Sequence, residues 1–563
     1  MSFLATVKSF VSCRTVRLVV VFVVLVILSW ASAGMLLAAI SVLNELPFRT
    51  SEAAMMTGEG DFIVLPLLTI GETLSGTTGA LNSSTAGAYT PPGVLDGIGG
   101  YALDANTARL FVNHELGSTA GYTYTVSDGL GGTVVLSGAR VSYFDIDRSS
   151  KQITDSGLAY DAIYDRASNR VTTTVQLDGP GFDRFCSAAL FEAEQFGSGQ
   201  GLANRIFFTG EETSSGSGGT EWALDVAKGD LWAAPEMGRG AWENVAELNP
   251  GDTTHVAFLL GDDTAESPLY LYVGQKGGAG DNDFLDNNGL KSGQLYVWGS
   301  DTGELDPRVF SGTGTITGSW LALEARNVIS AGTPGYDALG YKDNATLQAE
   351  ADGLGAFSFS RPEDVSTNPA DGTQAVLAST GRSSIFDGAD SLGTVYLVDV
   401  DFTDINSPTA SLEILYDGDA DPNQALRSPD NVDWADDGYI YVQEDRSFDD
   451  AFGSTAANPN EASIVRLDPA SGAPERVAEM NRSAVPAGLT DSDPTDVGNW
   501  ESSGILDVSS LFGQDPGNLF LFDVQAHSIT DGIIASANLV QSGQLAFLVK
   551  AEQRVYLPLI DKN

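Results

Sequence analysis

Two cysteines, three histidines and 29 lysines and arginines are all that this 563-residue chain sets against 75 aspartates and glutamates. So few thiols exclude a disulfide framework. Cys13 lies before an apolar N-terminal segment, so Cys186 has no partner beyond it and is either a small core residue or a soft metal ligand among hard ones. A formal charge of -46 opposes non-specific binding to nucleic acid, leaving no expected nucleic-acid partner, and attracts cations. Most of these carboxylates read as a solvated surface. Long helical periodicity is scarce, and no strict repeat of fixed period appears.

Near the start, Lys8, Arg14 and Arg17 precede an apolar run from Leu18 to Leu28, and Ala31-Ser32-Ala33 follows as a small-residue cleavage pattern. The stretch continues through Met35, Leu36, Leu37 and Ile40, and its length of roughly 25 residues is enough to span a bilayer uncleaved. Residues 1–42 are therefore expected to be a signal peptide or an N-terminal membrane anchor, with membrane attachment through residues 18–42 in the second case. Residues 43–563 are expected to form a single domain that is secreted, periplasmic or at the cell surface, and monomeric.

Beyond about residue 60 the recurrent unit is a short β-type run, a polar tip and a turn rich in Gly, Asp and Asn. Leu110-Phe111-Val112, Ile206-Phe207-Phe208, Val256-Ala257-Phe258-Leu259, Leu269 to Val273, Leu295 to Trp298, Val395 to Val398, Tyr439 to Val442 and Leu519 to Phe522 are examples. β-Branched and aromatic residues bounded by turn formers are strand signals. The 63 glycines favour tight hairpins over helical crossovers. So many short strands must avoid open edges, which favours an all-β propeller with loop insertions at Ser75–Pro92 and Asp449–Glu461; a two-layer sandwich is the alternative.

Acidic or imidazole tips recur where the runs stop: Asn113-His114-Glu115, Gly210-Glu211-Glu212, Gly261-Asp262-Asp263, Glu363-Asp364 after Arg361-Pro362, Glu444-Asp445, and Ala526-His527. In a propeller such tips converge at one mouth of the central channel, and converging like charges demand cations. Oxygen ligands suit calcium or ferric iron, and a thiolate adds affinity for a transition metal. Taken singly, each acidic pair is also compatible with a solvated turn, each histidine with a structural hydrogen bond, and Arg361 with an ordinary ion pair. Arginine beside metal-binding carboxylates also suits capture of a phosphate oxyanion.

Together with Met237-Gly238-Arg239-Gly240-Ala241-Trp242-Glu243, these segments resemble, in order, the PhoX-type alkaline phosphatases, secreted six-bladed propellers with an iron and calcium centre. The resemblance runs from about residue 60 to the C-terminus. It implies Glu115, Cys186 and Glu363 as iron (Fe3+) ligands, and Glu211, Glu212 and Glu243 as ligands of iron or calcium. Asp262 and Asp263, and on the strand-end argument Glu444 and Asp445, would complete or support a calcium site. Arg361 would hold the phosphate of a small phosphate-ester substrate, and His114 or His527 would assist proton transfer to the leaving group. Ser187 to Glu192 departs from the Gly-rich stretch expected after the cysteine, Trp242 stands where histidine is expected, and no twin-arginine pair precedes the apolar run, which marks a divergent branch.

The expected activity is hydrolysis of phosphate monoesters. Two readings compete with it. Pro429-Asp430-Asn431-Val432-Asp433-Trp434 followed by Gly438 to Val442 resembles calcium-dependent gluconolactonase-like propellers, although many propellers use such a segment. A non-catalytic calcium-binding surface propeller also fits the acidity, but leaves Cys186 and Arg361 without a role.

Overall fold

Each apolar run lies in a strand of the computed structural model, apart from Leu269 and Tyr439, which stand one residue before theirs. The structure describes residues 48–551, so the signal or anchor segment expected at 1–42 lies outside them. Among the described residues no helix is long and apolar enough to cross a membrane.

The strands form six antiparallel blades of a propeller. Blade 1 runs outward from Leu95–Ala102 through Thr107–His114 and Arg140–Asp147 to Ile153–Leu158. Blade 2 begins at Phe185–Phe191 and Ile206–Glu211, and blade 3 at Trp242–Leu248 and His255–Asp262. Blade 4 begins at Pro362–Thr367 and Gln374–Ser379, and blade 5 at Pro429–Trp434 and Ile440–Glu444. Blade 6 is Ile505–Asp507, Leu519–Ala526 and Ser542–Lys550, and Phe62–Thr69 from the opposite end of the chain supplies its outermost strand. Each inner strand packs on the next around the ring.

Stacked blades explain why the runs are continuously apolar. Successive side chains point to opposite faces of a strand, and here both faces are covered. Phe207 of blade 2 packs with Phe111, Val141 and Tyr143 of blade 1, whereas Ile206 and Phe208 pack with Val256, Phe258 and Leu260 of blade 3. One residue farther on, Ala257 and Leu259 turn to blade 4 and meet Val365 and Leu377. Burying each large side chain contributes about 1.5–3 kcal/mol, and the interfaces repeat around the ring.

Two insertions differ from expectation. The stretch from Ser75 to Pro92, read as a loop, carries Leu74–Thr77 paired with Gly87–Tyr89. The loop Asp449–Glu461 is irregular, but it tucks Phe452 against the buried Arg427 guanidinium, 3.8 Å from the ring centroid. That contact is a cation–π interaction in a desolvated site.

Candidate metal centre

The inner strands of blades 1 to 5 share one irregularity: the register to the second strand shifts between residues Leu95 and Ile98, Phe185 and Ala188, Trp242 and Val245, Pro362 and Val365, and Pro429 and Val432. A bulge re-aims the residues inside it. In each blade the second residue of the strand, Asp96, Cys186, Glu243, Glu363 or Asp430, lines one cavity of about 170 Å³ at the mouth of the channel. The fourth residues, Ile98, Ala188, Val245, Val365 and Val432, together with Ile505 of blade 6, are buried and form an apolar collar below it.

The second strands add the next set. Their last residues pair with the first residues of the inner strands: His114 with Leu95, Glu211 with Phe185, Asp262 with Trp242, and Glu444 with Pro429. The residue after each, Glu115, Glu212, Asp263 or Asp445, then points into the mouth, and His527 follows the last strand residue of blade 6 in the same way. Glu501, Arg184 and Arg361 complete the lining. Gly261 makes this crowding possible, because a Cβ there would lie 1.6 Å from the Glu363 carbonyl oxygen.

Strand parity separates the expected residues. Cys186, Glu115, Glu212, Glu243, Asp263, Glu363, Asp445, Arg361 and His527 come together in the mouth. Four others face away from it. His114 is fully buried between Gly93 O and Ser142 Oγ, at 3.1 and 2.6 Å, and burial and the Arg140 charge push it down to about 3, so it is no proton donor there. Glu211 accepts hydrogen bonds from Asp183 N, Thr220 N and Trp222 Nε1. Asp262 accepts from Ala241 N, Thr264 Oγ1 and Ser267 Oγ. Glu444 takes a bidentate pair from Arg427, at 3.1 and 3.0 Å, with both side chains fully buried. Each of these carboxylates is already satisfied by protein donors.

Asp96, Glu501 and Arg184 have no role in the sequence reading, and Asp430 enters it only within the lactonase-like segment. Arg184 Nε donates to Glu115 Oε1 at 2.8 Å, and its Nη2 also contacts Glu212. Arg361 Nε and Nη2 donate to Asp263 at 2.6 and 3.0 Å, and Nη2 lies 2.6 Å from Glu363 Oε1. Arg361 and Arg184 both hold positive φ, 89° and 50°, immediately before the bulged strands. A non-glycine residue there is strained, and such strain clusters at functional sites.

Nine carboxylates against two guanidiniums leave the mouth with a formal charge of -7 before His527 is counted. Burial, then neighbouring acids, pushes Glu243 and Asp96 well above the usual carboxylate range; Glu212 and Glu363 act on the first, Glu115 and Asp523 on the second. Burial, then Asp96 and Glu243, likewise raises the Cys186 thiol. Burial alone would raise Asp263, but Arg361 holds it below its ordinary value. Burial alone would also lower His527, but Glu501, 3.3 Å from Nε2, raises it to about 9.

This donor set fits metal ions. Carboxyl faces carboxyl at Glu212–Asp263, Glu363–Asp430 and Asp445–Glu501, an arrangement that holds either a shared proton or a cation. Glu243, 2% exposed, leaves Oε1 without a hydrogen-bond partner, as Asp96 leaves Oδ1. Donor atoms of Asp96, Glu115 and Cys186 lie within 4.8 Å of one another, as do those of Cys186, Glu212 and Glu243. Oxygen donors around a single sulfur suit a hard ion beside a softer one.

Residues 232–493 match the model of the family described as alkaline phosphatase PhoX. That stretch, just under half of the chain, is similar to the PhoX alkaline phosphatase family. That family of phosphomonoesterases implies metal cofactors and a phosphate-ester substrate. The fold agrees: PhoX of Pseudomonas fluorescens, solved in complex with vanadate, a transition state analogue, superposes with a TM-score of 0.55 over 90% of this chain and 98% of that one, at 15% identity. A GH43 β-1,3-galactosidase solved with galactodeoxynojirimycin gives 0.30 at 11% identity, covering 84% of this chain and 93% of that one. Hydrazine synthase of Kuenenia stuttgartiensis gives 0.28 at 12% identity, covering 77% and 48%. No curated protein matches by sequence.

Proposed function

We propose that the chain hydrolyses phosphate monoesters outside the cytoplasm, with iron and calcium in the channel mouth. The observation that carries this is the convergence of the second residue of five successive inner strands, four carboxylates and the lone exported thiol, on one small cavity. Cys186 with Asp96, Glu115, Glu212 and Glu243 would hold iron, and Glu363, Asp430, Asp445 and Glu501 would hold calcium. When bound, the ions polarise the phosphoryl oxygens, neutralise charge developing in the transition state and supply the nucleophile.

The remaining groups orient the ester. Arg361 and Arg184 both line the mouth, and Arg184, whose side chain is 46% exposed, would meet the entering phosphate. His527, held charged by Glu501 and 34% exposed, is placed to give a proton to the leaving oxygen. A cavity of about 170 Å³ is smaller than the ~300–1,000 Å³ usual for organic ligands. Only the phosphoryl group enters, so the leaving group is weakly discriminated.

The test is release of phosphate from aryl and nucleotide esters by the exported portion loaded with iron and calcium, before and after chelation. Cys186→Ser should lower bound iron and activity together. Absence of hydrolysis of any ester at full metal content would overturn the reading, and opening of a lactone by the same protein would favour the lactonase alternative.

A further inference from the structure

Radially outward from the mouth, on the flank of blade 1, lies a second cavity of about 540 Å³. In a chain of charge -46 its lining is unusual, because it contains no aspartate or glutamate. Its single ionisable cation is Arg140, the first residue of the strand Arg140–Asp147.

Arg140 is 1% exposed and has no carboxylate partner among the described residues. Its Nη2 donates to Tyr122 O at 2.6 Å, and Nε and Nη2 reach Gly138 O at 3.3 and 3.2 Å, but Nη1 has no hydrogen-bond partner. The guanidinium is sandwiched between Tyr122 and Tyr124, 4.5 and 4.3 Å from the ring centroids. The rings offset part of the desolvation cost of a buried cation but supply no counter-charge. Here a full positive charge is kept buried beside a cavity large enough for an organic molecule.

The rest of the lining defines what that molecule can be. Leu158, Leu539, Ile533 and Ala88 give it an apolar wall, and the hydroxyls of Thr90 and Thr125 give it neutral polar edges. One cation with one unpartnered amino group, Nη1, suits a monoanion; a phosphate dianion would need a second cation and would meet stronger repulsion from the acidic surface. We propose that this cavity binds a small organic monoanion, a carboxylate carried on a flat apolar body, with Arg140 as its counter-ion and the tyrosine rings as its stacking surface. None of the lining residues belongs to the channel mouth, so this is a separate site.

The test is calorimetric titration of the metal-loaded protein with 1-naphthoate and, as a neutral control of the same shape, 1-naphthamide. The acid should bind saturably at one site, at least about tenfold more tightly than the amide, as expected for a hydrogen bond to a charged group. Arg140→Met should abolish the preference for the acid. Because Arg140 also ties down Tyr122 and Gly138, a second variant is decisive: Ala537→Phe is designed to fill the cavity from the half-buried end of the helix Gly532–Ala537 while the arginine itself is kept. It should abolish binding with an unchanged thermal midpoint and unchanged hydrolysis of aryl phosphate. Equal binding of acid and amide, absence of saturable binding, or binding that survives Ala537→Phe would overturn the proposal.

Discussion

Glu243→Gln should stabilise the metal-free protein and destabilise the metal-loaded one. The side chain is almost fully buried, Oε1 has no hydrogen-bond partner, and one of its oxygens lies within 4.8 Å of a Glu212 oxygen. If both acids are ionised, their repulsion at that distance is about 3.5 kcal/mol at an effective dielectric of 20. If Glu243 instead takes up a proton, holding it at pH 7 against an ordinary value of 4.5 costs about 3.4 kcal/mol. Both routes carry a similar cost, and glutamine, of the same shape and without charge, avoids either. The metal-free variant should therefore gain roughly 3 kcal/mol, a rise of a few degrees in Tm for a domain of this size. With metal the sign reverses, because a charged donor has been removed and stabilisation by a bound ion falls with its affinity. The assay is thermal melting with and without chelator, alongside elemental analysis. A variant that loses stability equally in both states, or that keeps its full metal content, would refute the reasoning.

Glu444→Gln and Asp445→Asn, neighbours in the chain, should separate cleanly: the first breaks a buried pair with Arg427 and costs about 3–5 kcal/mol of stability while metal content is retained, and the second loses metal with little harm to the fold. Chemical denaturation and elemental analysis of the two variants check this. Gly261→Ala should lower metal content without touching a donor, since its Cβ would collide with the Glu363 backbone and displace that carboxylate. Glu247, buried below the collar, is raised by burial from 4.5 to about 8. The folded protein thus holds a proton that the unfolded chain releases between those values, so this contribution is fully present below pH 4.5 and is lost as pH rises to about 8. Glu247→Gln should remove that dependence, on the order of 5 kcal/mol, and the difference between the two unfolding free energies across pH 4–9 would show it.

The propeller was legible because stacking buries both faces of a strand, so runs such as Val256 to Leu259 are apolar without alternation. The acidic tips were legible as strand ends. Which acid of each pair enters the mouth was not, because that depends on strand parity, and parity is set by pairing to an inner strand whose bulge leaves no plain mark in the sequence. From the sequence, Glu211 and Glu212 are both candidates, as are Glu444 and Asp445; of these only Glu212 and Asp445 line the mouth, whereas Glu211 and Glu444 face away. Asp96 and Asp430 were passed over because each is a single acid at the start of a run. Only the structure marks them: both stand two residues after a positive-φ residue, Val94 and Ser428, as Cys186 and Glu363 stand after Arg184 and Arg361, and none of those residue types announces a positive φ in the sequence.

Blade 6 is completed by strands from the two ends of the chain, Phe62–Thr69 paired with Ser542–Lys550. The mouth is assembled from all six blades, so its donors reach their final separations only when that clasp shuts. Deleting residues 542–550 would remove no donor, yet it should leave a protein unable to gather its ions. On the export and metal binding proposed above, such a chain would acquire its metals last, after the whole length has crossed, and would meet them in the compartment where it works.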